Sequence, residues 1–188
     1  GYGVSVSKRL AKRITWGLVA VAIIAFAFLG YEMLSVDSSE LTMSKMDGSW
    51  KELATDDVTI MYQFNKNGEF TEMRTMDDDG TKYGSMCTGT WELSQQGILG
   101  QCISMKYDLE SLVVDGHNEE TGEVYDESDP TVNEMKQTLY AKYQKENQEV
   151  DKYKGTDKVY GLNNLTFSND TIKQNGISIM VKIGDINR

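Results

Sequence analysis

From Val58 to Asn65 the side chains alternate: Val58, Ile60, Tyr62 and Phe64 take one set of positions, and Thr59, Met61, Gln63 and Asn65 the other. That is the period of a β-strand with one face on a core. The same rhythm recurs along the chain, punctuated by turn residues. Gly48 to Leu53 reads as a short strand with Trp50 as its heaviest apolar group. Lys66-Asn67-Gly68 turns the chain into an antiparallel partner, Glu69 to Met76, and Asp77-Asp78-Asp79-Gly80 makes the next turn. Tyr83 to Leu93 and Ile98 to Tyr107 read as two more strands joined through Ser94-Gln95-Gln96-Gly97. The chain closes with Lys158 to Phe167 and Thr171 to Ile183, with turns at Ser168-Asn169-Asp170 and Asn175-Gly176.

Two stretches break the pattern. Asp129-Pro130 supplies an N-cap and a proline at the first helical position, and Val132, Met135, Leu139, Tyr143, Val150 and Tyr153 follow on one face, interrupted only by Glu146. The spacing predicts a helix over about 130–154, stopped at Gly155, whose apolar face packs on its own domain. The other stretch, Ile14 to Tyr31, is uncharged and apolar on every face, preceded by Lys8, Arg9, Lys12 and Arg13 and followed by Glu32, Asp37 and Glu40. Extended to Leu34 it is long enough to span a bilayer core of roughly 30 Å. The flanking charges keep residues 1–13 in the cytoplasm and send the rest across. A secretory signal peptide cut near Ala25-Phe26-Ala27 is the rival reading. The apolar run continues past that triplet to Leu29 and Tyr31, which favours an uncleaved, single-pass anchor. Residues 35–46 then read as a tether, and 47–188 as one domain.

Charge and cysteines narrow the function. The formal net charge is −10, and the cations cluster before the anchor, so the domain itself is strongly acidic. That field argues against nucleic acid as a partner. If the loop before the second long strand is Leu93 to Gln96, Cys87 falls directly opposite Cys102, and beyond the membrane the two are expected to form a disulfide. Asp115 to Asp129 is acid-rich and holds the sole histidine, His117, which reads as a solvated loop and not as a metal site. No nucleophile–base pair, phosphate loop or ligand cluster is visible, so neither an enzyme, a cofactor nor a metal is expected.

The whole adds up to an all-β, antiparallel barrel of about eight strands with one inserted helix behind a transmembrane helix. Gly48-Ser49-Trp50 followed by Lys51-Glu52-Leu53 resembles the Gly-x-Trp first-strand motif of lipocalins and fatty-acid-binding proteins. The span from Asp47 to Ile183, with Phe64, Asn67-Gly68, Phe70, Gly89-Thr90-Trp91-Glu92-Leu93 and Leu165-Thr166-Phe167, is similar to bacterial lipocalin-like envelope domains. The late arginine that packs across the first-strand Trp in that family has no clear counterpart here; Lys182 or Arg188 would have to substitute. The resemblance implies a periplasmic or external binding module for a small apolar ligand, with Trp50, Tyr62, Phe64 and Trp91 near the ligand. The alternative is a filled barrel that serves as an interaction subunit for an envelope protein partner.

Overall fold

A computed structural model describes residues 39–55 and 57–184. The predicted cytoplasmic segment and transmembrane helix, residues 35–38 of the tether, and Arg188 lie outside these. Among the described residues no helix is long and apolar enough to cross a membrane.

Ten strands follow in order: β1 (Gly48–Glu52), β2 (Val58–Phe64), β3 (Glu69–Asp78), β4 (Thr81–Gln95), β5 (Gln101–Tyr107), β6 (Val113–Asn118), β7 (Val124–Tyr125), β8 (Leu162–Ser168), β9 (Thr171–Gln174) and β10 (Ile177–Gly184). Eight of them, β1 to β5 and β8 to β10, pair with their neighbours around a closed antiparallel barrel. The predicted barrel is therefore present, in an arrangement consistent with a lipocalin-like fold. The fifteen-residue β4 exceeds the length of either neighbour along one of its edges. Its second half pairs there with β5 and its first half with β6, which carries β7 outward as a flap.

Local chemistry explains the hairpins. Asp79-Gly80, Asn169-Asp170 and Asn175-Gly176 each place two consecutive residues at positive φ, between 48° and 83°. Those are the two-residue turns whose twist matches that of paired strands, and Asn, Asp and Gly are the residues that tolerate them.

One end of the barrel is sealed from below. Thr42 caps a single helical turn, α1 (Met43–Met46), by accepting the Lys45 N–H at 3.1 Å. Leu41 and Met46 from this stretch are buried, and the Trp50 indole N–H donates to the Met46 carbonyl at 2.8 Å. Lys182 stands directly across from Trp50 on β10, and its amine reaches the Lys45 carbonyl at 3.5 Å. Lys182 is thus the cross-strand partner of the first-strand Trp, and Arg188 lies outside the described residues.

The long helix α2 (Pro130–Tyr153) begins as predicted, with the Asp129 carboxylate accepting from the N–H groups of Thr131 and Val132. It packs on β5 and β6 across the other end of the barrel. Asn147 locks it down: its side-chain oxygen accepts the Tyr107 N–H at 2.7 Å, and its amide donates to the Tyr107 carbonyl at 2.8 Å. Glu146 does not interrupt the apolar face but belongs to it, buried beside Tyr143.

The predicted disulfide is not formed; Cys87 and Cys102 are both buried free thiols. The error lies in the turn. Gly97–Leu99 forms a 3₁₀ turn before β5 begins, which sets Ser94, not Cys87, opposite Cys102. Residues that share a rung share a face, so Cys102 lies with Ser94 while Cys87 lies with Trp91 on the opposite face of the sheet. Along β4 the register error amounts to seven residues, roughly 23 Å at the usual strand rise, far beyond disulfide reach. The urea midpoint of the chain is therefore expected to be the same with and without a thiol reductant, whereas loss of a bridge would cost about 2–5 kcal/mol.

Candidate functional site

The inward positions of β1 to β4 stack into rungs. The deepest holds Phe64, Phe70 and Gly89, the next Trp50, Tyr62, Glu72 and Cys87, then Ile60, Arg74 and Ser85, and last Val58, Met76 and Tyr83. The four aromatics expected near a ligand all lie in the deep half, each no more than 2 % exposed. The structure brings three of them into contact. Phe64 stacks on Tyr62 at 5.5 Å between ring centroids and meets Trp91 edge-on at 5.3 Å. Trp50 instead meets Phe167 edge-on at 6.3 Å. The Trp91 indole N–H donates to the carbonyls of Asn65 and Glu69, both at 3.0 Å. Both indoles are thus satisfied by backbone, and these side chains are packed as core.

A polar layer begins in the rung of Trp50 and Tyr62 and continues into the next. Glu72, 1 % exposed, accepts from the Arg74 Nε–H at 2.5 Å, from the Tyr143 hydroxyl at 2.8 Å and from the Tyr107 hydroxyl. Tyr107 and Tyr143 stack 4.1 Å apart, and the Arg74 guanidinium lies over the Tyr143 ring at 5.8 Å. Tyr62 donates to Glu52 at 2.7 Å in the same layer. Burial works against the Arg74 charge, but Glu72 outweighs it and holds the guanidinium protonated. Burial and then Arg74 push the Lys142 amine down.

Burial, followed by the negative charge of Glu72, raises the phenols of Tyr107 and Tyr143, and burial raises Tyr160 to about 12. In the unfolded chain tyrosines ionise near pH 10. Above that pH the unfolded state binds fewer protons than the barrel, so this contribution is intact below about pH 10 and is lost as pH rises further. Alkaline unfolding is expected to carry the ionisation of Tyr107 and Tyr143 with it, so that in a joint titration of tyrosinate absorbance and circular dichroism their signal appears only as the fold is lost. Tyr107→Phe with Tyr143→Phe should make that alkaline loss shallower.

Arg74 divides two spaces. Below it lies a cavity of about 30 Å³ bordered by Tyr62, Tyr107, Glu146 and Tyr160, room for a water molecule or two. Above it, between the first half of α2 and the β2–β3–β4–β6 surface, opens a pocket of about 410 Å³. Its walls include Val58, Met76, Tyr83, Val114, Met135 and Leu139, with Thr131 and Thr138 at the helix side. Arg74 gives its Nε–H to Glu72 and also lines the pocket, and its remaining guanidinium N–H groups are the strongest donors in that lining.

Sequence reasoning missed Glu72, Arg74, Glu146 and this pocket. The signal was parity: Glu72 and Arg74 alternate with Phe70 and Met76, so two charges occupy the inward set of an otherwise apolar strand face. His117 is exposed on β6, away from both spaces. Among the described residues no three His, Cys, Asp or Glu side chains gather as a metal would need. Comparison with known protein families, with curated proteins and with solved structures finds no match.

Proposed function

We propose that this domain is a lipocalin-like binding module that takes up a small, predominantly apolar molecule in the mouth pocket, with the molecule's polar end against Arg74. The observation that carries this reading is the pocket itself: about 410 Å³, largely apolar, with one strong donor at its inner wall. Small-molecule sites typically span about 300–1,000 Å³ with few polar groups. The closed barrel and the pairing of Lys182 with Trp50 support the lipocalin-like assignment. The predicted anchor at 14–34 places the module on the far side of the cytoplasmic membrane, in the periplasm or outside, tethered and non-catalytic.

Thr138 is exposed on α2 and lines the pocket, so Thr138→Trp fills the space without entering the core. The full chain is expected to take up an environment-sensitive, apolar fluorescent probe, with affinity weakened by at least about tenfold in Thr138→Trp, roughly 1.4 kcal/mol. Absence of uptake, or uptake indifferent to that substitution, would overturn the reading. The packed aromatic half of the barrel favours the second reading, an interaction subunit of an envelope assembly, and loss of the small-molecule reading would leave that one standing.

A further inference from the structure

On the outer face of the barrel, Met61, Met73 and Met86 stand side by side on three adjacent strands: Met61 is the direct partner of Met73, and Met73 the direct partner of Met86. Val113 of β6 extends the row beyond Met86. The inward neighbours of the three, Ile60, Tyr62, Glu72 and Cys87 among them, are buried, so alternation turns the methionines outward. Met86 is 48 % exposed and Val113 57 %. The rungs on either side hold Thr59, Thr75 and Gly84, and Gln63, Thr71 and Thr88. On β2, β3 and β4 these three rungs carry no charged side chain; the nearest charges stand at their ends, Lys51 of β1 opposite Met61 and Asp115 of β6 opposite Gly84. Exposed strand positions favour β-branched residues, as the threonines here illustrate, so three flexible thioethers in register call for an explanation.

We propose that Met61, Met73 and Met86 form a surface site for a soft monovalent metal ion, Cu(I), held by three neutral thioether sulfurs. Thioethers select Cu(I) over harder divalent ions. Directly opposed side chains have Cβ atoms about 5 Å apart, and strands about 4.8 Å apart put Met61 and Met86 roughly 10 Å from each other across Met73. With metal–sulfur distances of about 2.3 Å, three sulfurs around one ion lie about 4 Å apart. An inward lean of about 3 Å by each outer side chain, supplied by rotation about χ1 and χ2, closes that gap without backbone movement. Binding needs no deprotonation. The chain's two thiols are poor competitors, because both are buried and burial raises their pKa.

Ag(I), a redox-inert stand-in for Cu(I), tests the site by titration calorimetry in chloride-free buffer on the full chain carrying Cys87→Ala and Cys102→Ala. The expected result is one ion bound per chain, with affinity unchanged between about pH 8 and 5.5, since no ligand titrates there. Met73→Leu keeps the volume and removes the sulfur, and is expected to weaken binding by at least about tenfold, whereas Met76→Leu with Met135→Leu, in the mouth pocket, should leave it unchanged. In the unsubstituted chain, the ε-methyl resonances of Met61, Met73 and Met86 should shift together on addition of Ag(I), so the test survives if the cysteine-free variant fails to fold. No binding, binding indifferent to Met73→Leu, or shifts confined to other methionines would overturn the proposal.

Discussion

Glu72→Leu is expected to lower the free energy of unfolding by about 3–5 kcal/mol, as removal of one partner of a buried ion pair does. Glu72 is the common acceptor for the Arg74 guanidinium and the hydroxyls of Tyr107 and Tyr143. Without it, a charge and two donors remain inside the barrel with their acceptor gone, and each carries its own desolvation penalty. The double replacement Glu72→Leu with Arg74→Met removes charge and countercharge together and is expected to recover much of the loss. Urea unfolding of the two single variants and the double one, read as a thermodynamic cycle, checks both statements. A small effect of Glu72→Leu alone would mean that the layer is wet and open instead of sealed.

Phe64→Ala is the second large effect, a loss of about 3–5 kcal/mol. Phe64 is fully buried and touches Tyr62, Phe70 and Trp91, so truncation leaves a cavity whose neighbours are held by their own contacts. The same substitution separates core from ligand wall. A wall residue would alter probe affinity at little cost in stability; a core residue does the reverse, and Phe64→Ala is expected to unfold at much lower urea while the mouth pocket binds as before. Paired measurements of urea midpoint and probe affinity decide between them.

Much of the fold was legible because its signals are local. Alternation at Val58–Phe64, the Asn-Gly and Asp-Gly turns, and the Asp129-Pro130 helix start each depend on residues within a few positions of one another, and each element formed there. The β4–β5 register was not legible, because it hinges on Ile98: an apolar side chain reads as the start of a strand, yet in the 3₁₀ turn it is fully exposed. Acidic composition hid β6 and β7, where Val114 and Gly116 face inward while Asp115 and His117 take the water. The mouth pocket was out of reach for a different reason. Its lining comes from β2, β3, β4, β6 and α2, so it exists only once the barrel has closed and the helix has swung across it.

That closure is uneven around the circumference. Seven of the eight barrel joints keep four or more aligned pairs, while β5 meets β8 through just two, Gln101 with Leu165 and Ile103 with Leu162, with a shift of register between them. The whole β6–β7–α2 segment is threaded between these same two strands. Bringing them together means closing a long loop, although the β1–β10 pairing, Trp50 with Lys182, spans a longer one still. The joint between β5 and β8, with the fewest aligned pairs, is thus expected to be the first to part when the barrel breathes, a built-in zip beside which the helix lies as a flap.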